Sequence, residues 1–88
     1  MKDLKIAVIG LGYVGLPLAI EFGKKYKVLG YDIKSTRVTE LQSGYDHTLE
    51  ADLDGLSKAT KLRVENSELG LVFSSQESDL KEYNVFIV

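Results

Sequence analysis

At 88 residues the chain is long enough for one small domain, and 44% apolar with 27% charged residues is the composition of an ordinary globular protein, which excludes a disordered or fibrous one. Eleven basic and thirteen acidic side chains leave a net charge of −2 with no block of one sign, so neither nucleic acid nor an anionic membrane is an expected partner. There is no cysteine, which rules out a disulfide framework and a thiolate metal site and fits a cytoplasmic location.

In chain order, Ile6-Ala7-Val8-Ile9 is a continuous apolar run, the pattern of a strand covered on both faces in a parallel sheet. It is too short and too broken by its flanks for a signal peptide, and no stretch is apolar for the roughly 20 residues a bilayer span needs. Glycines follow, and then Val14, Leu16, Leu18, Ala19, Ile20 and Phe22 fall at helical spacings, which predicts a first helix over Tyr13 to Lys25. Pro17 lies in or just past the first turn of that helix, where a missing N–H costs little. Val28-Leu29-Gly30-Tyr31 is a second strand, stopped by Asp32, and it completes a compact right-handed strand–helix–strand unit.

Ser35 reads as the N-cap of a second helix that turns Val38 and Leu41 inward and stops at Gly44. From Asp52 to Leu62, Leu53, Leu56 and Ala59 recur at three-residue steps, which predicts an amphipathic surface helix with a charged outer face. Arg63 to Gly70 has no period and reads as a loop. Leu71-Val72-Phe73 is a third strand. Ser74 with Glu77 has the form of a capping box opening a short helix to about Glu82, and Val85-Phe86-Ile87-Val88 is a fourth strand.

The chemistry is concentrated at the first turn. In Gly10-Leu11-Gly12-Tyr13-Val14-Gly15, Gly10 lets the chain leave the strand sharply, Gly12 lets backbone approach a pyrophosphate, and Gly15 lets the helix pack tightly on the sheet. The free N–H groups at the helix start would then face a phosphate with the helix dipole behind them. The alternative, glycines that only serve a tight turn, is disfavoured because the motif both follows a strand and opens a helix. Asp32, twenty residues beyond Gly12, ends the second strand where a carboxylate accepts hydrogen bonds from an adenosine ribose. A 2′-phosphate would meet it as a like charge, so NAD is favoured over NADP; the competing role for Asp32 is capping a turn. For Arg37 two readings stand side by side, a reach toward the ribose or pyrophosphate and a solvated helix arginine. His47, the lone histidine, lies among Asp46, Glu50, Asp52 and Asp54, but without a second histidine or a cysteine this reads as a loop and a charged helix face rather than a metal site.

These features predict an α/β fold, a Rossmann-like doubly wound parallel sheet with about four strands in the order 3-2-1-4. Because the chain stops inside the fourth apolar run, residues 1–88 are expected to be the N-terminal part of a truncated NAD-binding domain, the other domains of its parent being absent.

The residues from Lys5 through Gly10-Leu11-Gly12-Tyr13-Val14-Gly15-Leu16-Pro17-Leu18-Ala19 closely resemble the opening of the UDP-glucose/GDP-mannose dehydrogenase family, and Tyr31-Asp32-Ile33, Arg37-Val38, Leu71 to Ser75 and Asn84 to Val88 continue the likeness. Asp46-His47-Thr48-Leu49-Glu50 is similar to the branch that oxidises UDP-N-acetylhexosamines for capsules and surface polysaccharides. The resemblance implies NAD-dependent oxidation of a sugar C6 alcohol to a carboxylate through a cysteine thiohemiacetal with a lysine-assisted step, in a parent that is a homo-oligomer. It places cofactor contacts on Gly10, Leu11, Gly12, Tyr13, Val14, Gly15, Asp32 and Arg37, and no catalytic residue in this chain. Two other classes share the glycine fingerprint: an FAD-dependent oxidoreductase and a non-enzymatic NAD-sensing regulatory module.

Overall fold

A computed structural model describes residues 4–12, 14–44, 53–66 and 68–88. The elements are β1 (Lys5–Ile9), α1 (Gly15–Gly23), β2 (Lys27–Tyr31), α2 (Ser35–Gln42), α3 (Leu53–Glu65), β3 (Gly70–Ser74), a 3₁₀ segment (Glu77–Glu82) and β4 (Val85–Ile87). The four strands form one parallel sheet in the order β3-β2-β1-β4, the order expected from the sequence. Ile9 pairs with Tyr31 and Tyr31 with Ser74, so the carboxyl ends of β1, β2 and β3 lie along one edge.

Alternation along the strands divides the core in two. Ile6, Val8, Val28, Leu71 and Phe73 point to one face, where Leu16, Ala19 and Ile20 of α1, Val38 and Leu41 of α2, and Leu56 and Ala59 of α3 cover them. Ala7 and Leu29 point the other way and are covered by Tyr83, with Ile9, Val72 and Leu80 around them. The β3–β4 connection therefore crosses the face opposite the three helices, which is the doubly wound arrangement. Each fully buried Leu or Ile contributes about 1.5–3 kcal/mol relative to exposure.

Several local expectations are corrected. The first helix is shorter than Tyr13 to Lys25, because the N–H groups of Lys24 and Lys25 close a turn onto Glu21 O and Phe22 O. Ser35 is the first residue of α2 rather than its cap, which is Lys34; Gly44 does end the helix, at φ +84°. The segment Arg63 to Gly70 is not all loop: α3 runs one turn further than Leu62, to Glu65. The cause is Arg63, whose Nη1 donates to Val28 O and Gly70 O, both at 3.1 Å, and whose Nη2 donates to the Tyr83 hydroxyl at 2.8 Å. Gly70, at φ +96°, passes so close to the Arg63 backbone that a Cβ would lie 2.2 Å from its nitrogen. Ser74 and Glu77 do not form a capping box. Ser74 Oγ donates to Asp79 and accepts from Gln76 N–H, and the segment that follows is a 3₁₀ turn.

Among the described residues no helix is long and apolar enough to cross a membrane.

Candidate cofactor site

The glycine-rich turn, Asp32 and the start of α2 meet at the carboxyl edge of the sheet. Gly10, at φ +94°, turns the chain off β1 while its N–H donates to Tyr31 O at 2.8 Å. A Cβ on Gly15 would stand 1.8 Å from Gly10 O, so no side chain is possible there and α1 starts in close contact with the turn. A Cβ on Gly12, in contrast, would meet nothing within 4 Å. Among the described residues, packing gives no reason for a glycine at Gly12, whereas a ligand brought up to the backbone does. Among the described residues the first bond into α1 runs from Leu16 N–H to Gly12 O, and N–H groups at a helix start in general have no preceding turn to receive them. Tyr13 lies outside the described residues.

Asp32 faces this turn. Its Oδ2 accepts from Leu11 N–H and its Oδ1 from Lys34 N–H, both at 3.0 Å. Each oxygen keeps further acceptor capacity, so the carboxylate can take a ligand hydroxyl without giving up either bond. The backbone N–H of Asp32 donates to Ser74 O, tying the end of β2 to the end of β3.

Arg37 is not a solvated helix arginine. Its Nε and Nη2 donate to Leu11 O at 2.9 and 2.8 Å, its Nη1 stands 3.4 Å from Glu40 Oε2, and its side chain is 11% exposed. Leu11, itself buried, is therefore held at its N–H by Asp32 and at its carbonyl by Arg37. Glu40, which the motif reading passed over, belongs to this group; its i,i+3 spacing from Arg37 was the available signal. At the rim, Ile33 beside Asp32 and Val14 at the helix start are apolar and exposed.

His47 and the segment Asp46 to Glu50 lie outside the described residues. Among the described residues no group of three or more His, Cys, Asp or Glu side chains could hold a metal ion.

A parallel sheet in the order 3-2-1-4, a glycine-rich turn after its first strand and an acidic residue ending its second together define a dinucleotide-binding Rossmann half. Residues 4–88 match the profile of the UDP-glucose/GDP-mannose dehydrogenase family, NAD binding domain, and the chain belongs to that family. NAD thus takes the place of the flavin alternative. The chain is 56% identical over 88 residues to the UDP-N-acetyl-D-glucosamine 6-dehydrogenase of Pseudomonas aeruginosa, covering all of this chain and 19% of that protein. Among solved structures it is similar to a UDP-D-ManNAc dehydrogenase from Pyrococcus horikoshii, with TM-score 0.76 and 39% identity over 94% of this chain and 19% of the other. It also shares its fold with a GDP-mannose dehydrogenase from Pseudomonas aeruginosa, with TM-score 0.73 at 22% identity over 94% of this chain and 18% of that one. The expected likeness to the UDP-N-acetylhexosamine branch is borne out by the first two of these, of each of which the chain spans 19% of the length.

Proposed function

We propose that this chain is the N-terminal part of the NAD-binding domain of a nucleotide-sugar 6-dehydrogenase, which oxidises the C6 alcohol of a UDP-N-acetylhexosamine or UDP-glucose to a uronate for surface polysaccharide synthesis. Relatives named as UDP-N-acetyl-D-glucosamine 6-dehydrogenases and a UDP-N-acetyl-D-mannosamine dehydrogenase support the UDP-N-acetylhexosamine part of this reading. The observation that carries the reading is the Asp32 carboxylate held against the glycine turn by Leu11 N–H at 3.0 Å, beside open space at Gly12.

In this reading Asp32 accepts the hydroxyls of the adenosine ribose, and the exposed Ile33 offers the adenine an apolar surface. The backbone from Gly10 through Leu11, Gly12, Tyr13 and Val14 to Gly15 lies along the pyrophosphate, whose charge the start of α1 favours. Arg37 holds the Leu11 carbonyl and so keeps the turn in its receiving shape. Bound NAD would supply the hydride acceptor. The chain has no cysteine, so the thiol nucleophile that the resemblance implies belongs, in this reading, to sequence outside these 88 residues.

Taking an alcohol to a carboxylate removes two electron pairs, so the intact protein is expected to form about two NADH per UDP-sugar consumed, one per hydride transferred. Absence of NADH formation with every UDP- and GDP-hexose tried would overturn the proposal.

A further inference from the structure

In folds of this kind that accept NADP, an arginine shortly after the acidic strand end takes the 2′-phosphate. Arg37 occupies that stretch of chain, five residues beyond Asp32. Repulsion from Asp32 therefore competes with a cation able to grip phosphate in bidentate fashion, and something must withhold that cation. Glu40 is the candidate. It lies one turn along α2, its side chain only 16% exposed, with Oε2 at 3.4 Å from Arg37 Nη1, while Nε and Nη2 of the same guanidinium are spent on Leu11 O. A carboxylate so far removed from water compensates the arginine's charge and fixes its direction.

We propose that Glu40 is a specificity-determining positioning residue: it holds Arg37 on the Leu11 carbonyl, so that the arginine braces the glycine turn instead of receiving a 2′-phosphate. The proposal rests on the reading of this turn as the NAD site. With Glu40 made neutral, the guanidinium loses the carboxylate that fixes its direction, and its fork can turn toward a phosphate.

The test is calorimetric titration of the intact protein with NAD and with NADP, for the wild type and for Asp32→Asn, Glu40→Gln and Asp32→Asn/Glu40→Gln. Glu40→Gln is nearly isosteric, and circular dichroism verifies the fold of each variant. Adding Glu40→Gln to Asp32→Asn is expected to raise NADP affinity relative to NAD by about tenfold or more, a shift well outside ordinary titration error. The gain must vanish when Arg37→Ala is also present, because Glu40 acts through that arginine. An affinity ratio that does not move between Asp32→Asn and the double variant overturns the role of Glu40, as does a gain that persists without Arg37. A parallel fall in both affinities leaves the ratio fixed, which is the mark of a merely structural glutamate and likewise overturns it. In any of these cases, NAD binding by the wild type that weakens in Asp32→Asn leaves the cofactor site standing; a wild type that binds no NAD sinks both.

Discussion

Leu11 is the residue on which the site turns, though it contributes no polar side chain. Its peptide is gripped at the N–H by Asp32 and at the carbonyl by Arg37, so two side chains far along the chain set the shape of the turn. Asp32 thus has two tasks, and Asp32→Ala in the intact protein is expected to weaken NAD binding by about 1–3 kcal/mol, the range for a buried polar partner left unsatisfied. Unchanged affinity by calorimetry would refute that assignment. The two inner glycines separate packing from binding. Gly12→Ala adds a methyl to open space and should leave the melting temperature in place while weakening NAD binding; Gly15→Ala drives a Cβ onto Gly10 O and should lower both. Equal thermal shifts in the two variants would contradict this division.

At the level of elements, α3 is joined to the sheet by a charged side chain as well as an apolar stripe. Arg63 reaches carbonyls on β2 and β3 and the hydroxyl that precedes β4, so one guanidinium bridges three segments at the edge opposite the cofactor site. Arg63→Ala should destabilise the protein by about 1–3 kcal/mol, since buried acceptors lose their donor. Arg63→Lys should recover little, because a single ammonium lacks the planar fork. A urea midpoint for Arg63→Lys equal to that of the wild type would show that charge alone suffices. On the adjoining helix, a Cβ at Gly23 would come within 2.9 Å of Leu71 Cβ and 3.2 Å of Ala59 Cβ. Gly23→Ala is therefore expected to cost about 1–3 kcal/mol through overpacking, read from the same denaturation curves.

For the whole molecule, the two faces of the sheet are unequally covered. Three helices close one face, while Tyr83 and Leu80 lie over the centre of the other and leave Phe86 half exposed on β4. In the proposed reading, the wall over the nicotinamide end of the dinucleotide belongs to sequence outside these elements. The isolated 88 residues should accordingly bind NAD at least about tenfold more weakly than the intact protein, a difference of about 1.4 kcal/mol. Comparable affinities in the two would contradict this.

By itself the sequence determined the features that depend on local period and backbone freedom: four strands as apolar runs, helices at helical spacing, the sheet order, and a glycine turn paired with Asp32. Such patterns survive in any tertiary context because burial on both faces, close backbone approach and positive φ each demand particular residue types. Only the tertiary structure decided what the long polar side chains do. Arg63 carried α3 beyond the predicted loop boundary, and Ser74 met Asp79 instead of capping with Glu77. Arg37 proved to be a brace for Leu11 held beside Glu40. The physical reason is reach: an arginine finds its acceptor across tens of residues of chain, at a distance that no local period records, while a glycine's reason to be glycine lies within its own turn.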